Sequence, residues 1–163
     1  MSAVRVYVPS SLRLLEQVLL SGGVGPVPLL GHAVTDALRA AFPEGDEEEW
    51  EYAAMTAAAQ DSLGLLGAED VPRRVVVAVD AEDALPVEGH EPTLVEVPSV
   101  VPLRRLAAVH VDSEDAEDAV CAAREAWPDA EAGDVDAARF LERCLDHELG
   151  WYAAQEIGAL VGQ

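Results

Sequence analysis

One stretch of the chain, residues 73–80, reads RRVVVAVD and contains a valine-rich run with no polar alternation. Such a run is typical of a strand that is covered on both faces in the interior of a sheet. It is too short and too rich in valine to favour a helix. We therefore expect this stretch to be the central strand of the fold.

Five other segments have the pattern of strands. Residues 4–8 and 94–97 alternate beside prolines, and residues 106–111 are apolar apart from one histidine. Residues 32–35 predict a short strand, and residues 151–152 predict a last one, with one bent C-terminal helix as the alternative. The pattern therefore predicts a single α/β domain over residues 1–163, with a mixed five- to six-stranded sheet and helices packed on its faces.

Capping residues and helix breakers place five helices between these strands, at about residues 11–20, 36–42, 46–66, 113–128 and 134–148. Ser10 or Ser11 starts the first helix, and Asp112 with Ser113 caps the fourth. In the longest helix one face is predicted to be buried because its residues recur at helical spacing. These residues are Tyr52, Met55, Ala59, Leu63 and Leu66.

The formal net charge is −21, and all ten positive side chains are arginine because the chain has no lysine. Nucleic-acid backbones and anionic membrane surfaces repel such a molecule, so we expect neither as a partner. Two explanations of the charge remain open. One is solubility, and the other is an acidic face that engages a basic protein or imitates nucleic acid.

The carboxylates cluster at residues 44–51, 112–118 and 129–136, where helices are predicted to begin. Capping and the helix dipole favour negative charge at such positions, which explains much of the pattern. The alternatives are a hard-cation site and a partner-binding face. For the partner-binding face the candidates are Glu47, Glu48, Glu51 and Tyr52.

Two histidines are candidates for catalysis or metal binding. Strand alternation puts His110 and Asp112 on one side, at the end of a strand where ligand sites often lie. His147 and Glu148 end a predicted helix just before the last strand. If the C-terminal segment folds back, these four residues could form a mixed nitrogen and oxygen metal site or an acid–base site. The alternative is that each histidine is structural.

Other motifs do not support an enzyme. The glycines at residues 22–25 follow a helix rather than a strand, so they lack the context of a phosphate loop. No serine or cysteine has a recognisable catalytic base, and no cofactor is expected. Cys121 and Cys144 fall in predicted helices, where thiols usually act as small apolar groups. Without a leader or a long apolar run, we expect a cytoplasmic protein.

Several stretches together carry a resemblance: residues 5–9, 33–35, 46–54, 73–81, 102–112 and 147–157. With these, the chain resembles a family of short acidic proteins from GC-rich actinobacteria that is known only as a domain of unknown function. The resemblance spans nearly the whole chain and implies one domain. It implies no catalytic residue, because the family has no assigned activity.

The leading hypothesis is a non-enzymatic interaction or regulatory module that presents acidic surface to a basic protein partner. The alternative is a small metal-dependent or acid–base enzyme that uses His110, Asp112, His147 and Glu148. A nucleic-acid mimic is a third hypothesis.

Overall fold

The computed structural model describes residues 2–162, which form nine strands and six α-helices. The strands are β1 Val4–Ser10, β2 Gly23–Val24, β3 Leu29–His32, β4 Val75–Ala81, β5 Leu85–Pro86, β6 Leu94–Val97, β7 Val101–Pro102, β8 Leu106–Val111 and β9 Gly150–Tyr152. The helices are α1 Leu12–Ser21, α2 Asp36–Ala41, α3 Glu47–Leu63, α4 Glu117–Glu131, α5 Val135–Arg143 and α6 Ile157–Val161. Short 3₁₀ turns occur at Leu103–Arg105, Glu114–Ala116, Cys144–Asp146 and Ala154–Glu156.

Seven of the strands form one sheet in the order β5-β6-β3-β1-β4-β8-β9, and β2 pairs with β7 apart from it. Every pair of neighbours is antiparallel. The α/β class is confirmed, but the prediction of a mixed sheet with five to six strands is wrong. The extra strand, β5, lies in a polar segment without strand periodicity, and the strand predicted at residues 32–35 is instead β3 at Leu29–His32. Periodicity also does not report the direction of a partner strand.

Strand β4 lies in the interior of the sheet, between β1 and β8 and next to the middle strand. Val75, Val77 and Val79 are at most 1% exposed and belong to a core that also contains Leu15 of α1 and Ile157 of α6. The alternate residues of β4 pack in a second core against α3. Both faces of the valine run are therefore covered, as the sequence predicts.

Helix α3 packs on the sheet through alanines. Ala54 and Ala58 are fully buried against β4 and β1, whereas Tyr52 is 60% exposed. Ala59, Leu63 and Leu66 are buried as predicted. Tyr52 does not belong to the buried face, whose first turns are formed by the two alanines instead. Small side chains let the helix backbone approach the sheet closely, and a pattern built on the larger residues misses that face. The predicted N-cap is confirmed, since the Asp46 carboxylate accepts a hydrogen bond from the Glu49 amide at 2.8 Å.

Helices α4 and α5 form a hairpin that packs on the end of α3 around Leu63, Val120 and Leu141. Asp134 caps α5, as predicted. The predicted cap of α4 is wrong, because the Ser113 side chain makes no capping bond and Asp112 is occupied elsewhere. Pro128 lies inside α4 rather than ending it.

The C-terminal segment returns to the sheet edge. Strand β9 pairs with β8, where Trp151 lies opposite His110, and α6 follows. This confirms a last strand and excludes the single bent helix. Helix α5 also stops at Arg143, earlier than predicted, and residues 144–149 cross from α5 to the sheet edge. Of the helices in residues 2–162, none combines the length and the apolar content needed to cross a membrane.

Candidate functional site

Arg74 and Asp112 form a buried ion pair beside the sheet. Nε and Nη2 of Arg74 donate to the two oxygens of the Asp112 carboxylate, each at 2.8 Å. The Arg74 amide also donates to Asp112 Oδ2 at 2.8 Å, and the two side chains are only 4% and 0% exposed. Because Nη2 donates further to the His147 carbonyl at 2.8 Å, the pair fixes the crossing segment 144–149 next to β4.

The structure gives different environments to the four residues that the sequence grouped as a metal or acid–base site. The Asp112 carboxylate is paired with Arg74, and the His147 carbonyl accepts a hydrogen bond from the same guanidinium. His110 is half-buried, with its ring 6.4 Å from that of Tyr7, and Glu148 is exposed. Within the described part of the chain, no group of three or more metal-binding side chains is placed to hold an ion.

His147 and Glu148 instead border a cavity of about 270 Å³ between α3 and the crossing segment. Its lining is mostly apolar, with a few polar groups. The lining residues are Tyr52, Met55, Thr56, Ala59, Arg74, Leu145, His147, Glu148 and Leu149. A concave, mainly apolar site with a few directed polar groups is the usual form of a ligand or anchor pocket.

Arg74 is the most buried of the polar side chains that line this cavity. Two of its nitrogens make the bonds described above, and Nη1 donates to no acceptor among residues 2–162. Every fully buried side-chain nitrogen or oxygen in that part of the chain has a hydrogen-bond partner. Nη1 is therefore not fully buried, and because Arg74 lines the cavity we infer that Nη1 faces it.

The acidic start of α3 lies next to the same cavity. Glu51 accepts a hydrogen bond from the Tyr7 hydroxyl at 2.6 Å, and Glu47 lies 3.4 Å from Arg39. Glu48 is exposed and precedes Tyr52 by four residues, so both lie on one helix face. Of the predicted partner-binding residues, Tyr52 lines the cavity and Glu48 lies one turn away from it.

A second polar cluster lies on the α3 face of the sheet, formed by Tyr7, Glu51 and His110. Burial, together with the hydrogen bond to Glu51, raises the pKa of the Tyr7 phenol well above its usual range. Burial also lowers the pKa of His110, with a smaller contribution from the positive charge of Arg5. Both shifts favour the neutral form of each ring, which is consistent with a structural role in a partly buried environment.

Another buried histidine, in β3, contacts α3 and the turn before β6. His32 is 1% exposed, with Nδ1 2.7 Å from Thr93 Oγ1 and Nε2 2.6 Å from Asp61 Oδ2. This order of groups resembles a nucleophile, a base and an orienting acid. However, Thr93 is only 5% exposed and lies in the interior, so a substrate has no access to its hydroxyl.

Sequence reasoning missed Arg74 as a site residue. Its place at the start of the valine run gives no sign that the side chain lies in a cavity wall, and its partner Asp112 is 38 positions away. The one available signal was the cost of burial, since an arginine adjoining a buried strand needs a carboxylate partner. Asp112 is such a carboxylate, at the end of the neighbouring strand β8.

Together the fold and the cavity define a small α/β protein with an antiparallel sheet, helices on both faces and a mainly apolar cavity beside α3. The chain belongs to the Family of unknown function (DUF6912), which matches residues 4–161. This confirms the resemblance to a family without assigned activity. Comparison with curated proteins gave no match, and comparison with solved structures gave none either.

Proposed function

We propose that the protein is a non-enzymatic interaction module that presents acidic surface to a basic segment of a partner protein. The observation that carries the proposal is the position of the cavity beside the acidic start of α3. The cavity offers apolar side chains for an anchor residue, Glu148 lines it, and Glu48 lies one helical turn from its lining residue Tyr52. A basic segment with one apolar residue is complementary to both features.

The carboxylates that would meet such a segment are Glu48 and Glu148. Both are exposed, and neither is within ion-pair distance of an arginine in the part of the chain that the structure describes. Arg74, the arginine in the cavity lining, is already paired with Asp112. The local potential at the opening is therefore negative, which favours a cationic segment.

The test uses a fluorescein-labelled peptide with a central leucine flanked by two arginines on each side. We expect saturable binding in fluorescence anisotropy, with an affinity that falls about tenfold or more between low and high salt because the charges at the opening are screened. Replacing the central leucine with serine should weaken binding, since the cavity then loses its apolar anchor.

A pair of charge variants separates a local site from overall net charge. Glu48→Gln combined with Glu148→Gln removes the two carboxylates at the opening. Glu125→Gln combined with Glu131→Gln removes the same charge from exposed positions on α4. The first double variant should bind the peptide more weakly than the second. Equal affinities, or an affinity independent of salt, would refute the proposal.

The proposal includes a cytoplasmic location. Cys121 and Cys144 are both free thiols, and burial raises the pKa of the Cys144 thiol. Unpaired cysteines are usual in reducing compartments, which supports this location.

A further inference from the structure

We propose that the cavity between α3 and residues 144–149 recognises an uncharged group that carries a hydrogen-bond acceptor, such as an amide carbonyl, with Arg74 Nη1 as the donor. This inference rests on the proposed function and specifies what enters the site. For a partner segment, the acceptor would be a main-chain carbonyl beside the apolar anchor.

Nη1 of Arg74 is available as a donor because, in the described part of the chain, only the other two guanidinium nitrogens, Nε and Nη2, are bonded to protein acceptors. Asp112 and the His147 carbonyl occupy Nε and Nη2 of Arg74, and Nη1 has no acceptor within residues 2–162. The side chain is only 4% exposed and is held by three hydrogen bonds from these two nitrogens, so Nη1 keeps a fixed direction. A donor with a fixed direction in a mainly apolar wall binds best to an acceptor at one position. Because the donor is already ordered, little conformational entropy is lost on binding.

The acceptor should be uncharged because the positive charge of Arg74 is already balanced. The Asp112 carboxylate lies 2.8 Å from the guanidinium and is 0% exposed. A second carboxylate or a phosphate in the cavity would be brought close to this buried negative charge, with Glu148 also at the opening. The guanidinium attracts an anion, but Asp112, Glu148 and the net charge of −21 together oppose it, so an anionic ligand is disfavoured relative to a neutral one.

A cation is also excluded from the inner part of the cavity. An ammonium group has only donors, and there it would face the donating Nη1. The carbonyl of His147 is already occupied by Arg74 Nη2. Positive charges therefore belong at the opening, beside Glu48 and Glu148, whereas the inner cavity takes the neutral apolar group and its carbonyl.

Three probes of nearly the same shape test this directly: isocaproamide, isocaproate and isohexylamine. Each has the same branched alkyl chain and ends in a neutral amide, a carboxylate or an ammonium. Each is titrated into the full chain while the methyl NMR signals of Met55, Leu145 and Leu149 are followed. We expect saturable shifts with isocaproamide, at a Kd on the order of 1–10 mM. The other two probes should bind about tenfold more weakly or worse.

Two tryptophan variants locate the binding. Leu145 is 51% exposed and lines the cavity, so Leu145→Trp should fill the space without unfolding the chain and abolish the shifts. Leu20 is 81% exposed on α1, which packs on the other face of the sheet, so Leu20→Trp is the matched control and should leave them unchanged. Equal or tighter binding of isocaproate or isohexylamine, shifts that persist in Leu145→Trp, or no shift with isocaproamide would overturn the inference.

The outcome also separates this inference from the proposed function. If isocaproamide fails and the arginine-flanked peptide still binds in a salt-dependent manner, the neutral-acceptor inference alone is wrong. If isocaproamide binds with the expected preference and the peptide does not, the inference stands and the proposed partner is wrong.

Discussion

The guanidinium of Arg74 donates two hydrogen bonds of 2.8 Å to the carboxylate of Asp112, and both side chains are buried. The pair joins the residue before β4 to the residue after β8, and it extends to the carbonyl of His147. It therefore links the interior of the sheet to the segment that forms one wall of the cavity. The stability of the fold and the shape of the candidate site depend on the same contact.

Asp112→Asn should destabilise the protein by about 3–5 kcal/mol, because it leaves the buried positive charge of Arg74 uncompensated. The matched control is Asp80→Asn, which breaks an ion pair with Arg5 whose side chains are 41% and 37% exposed. That change should cost at most about 1 kcal/mol. Urea unfolding of both variants measures the difference, and similar losses would contradict the special status of the buried pair.

The two serines considered as caps should behave differently. Ser11 Oγ accepts from the Leu14 amide at 3.1 Å, so Ser11→Ala should cost about 1 kcal/mol, the usual price of a lost cap. Ser113 makes no such bond, and Ser113→Ala should change the free energy of unfolding by less than about 0.5 kcal/mol. Denaturant titrations decide this, and an equal loss in both would restore Ser113 as a cap.

The alanine face of α3 should not tolerate larger side chains. Ala58 is fully buried between the helix and the sheet. Ala58→Leu should destabilise the fold by about 1–3 kcal/mol, because the helix must move away from β4 to make room. Ala68→Leu, at an exposed position after α3, provides the control and should be close to neutral. A neutral Ala58→Leu would mean that the helix does not pack as closely as the structure shows.

His110 should make the protein less stable in mild acid. Its pKa is lowered in the folded state, mainly by burial, so the unfolded chain binds a proton first as the pH falls through about 6.5. The stability that the neutral ring provides is present above that pH and is lost below it. Between about pH 7.5 and pH 5.5, the wild-type protein should therefore lose more stability than His110→Gln. Parallel pH profiles of the two proteins would contradict this assignment.

Divalent cations provide a test of the metal hypothesis from the sequence. Because Asp112 is committed to Arg74, and the described residues contain no three-ligand cluster, Zn²⁺, Mn²⁺ and Mg²⁺ should leave the melting temperature unchanged. EDTA should have no effect either. A saturable stabilisation by one of these ions that disappears in His147→Ala would revive the metal site.

Local signals in the sequence predicted the local parts of the fold well. Ser11, Asp46 and Asp134 cap helices as expected, and β8 covers the predicted residues 106–111. A cap depends on a few neighbouring residues, and a strand shows in its own pattern of apolar positions. Such features need no knowledge of distant contacts.

The strand pairing and most of the site could not be predicted, since both depend on distant residues. The sequence of residues 75–81 does not indicate that the neighbouring strands β1 and β8 run antiparallel to β4. His147 and Glu148 line the cavity, but their grouping with His110 assumed contacts that the structure does not make. Arg74 can be recognised as a site residue only from the folded structure, where it contacts Asp112 and the crossing segment.

We propose that a basic partner segment docks in the cavity between α3 and residues 144–149. The most direct measurement is the affinity of the arginine-flanked leucine peptide for Leu145→Trp and for Leu20→Trp. We predict that Leu20→Trp binds like the wild-type protein, and that Leu145→Trp binds at least about tenfold more weakly because its indole fills the cavity. Equal affinity of the two variants would show that the peptide binds elsewhere and would contradict the claim.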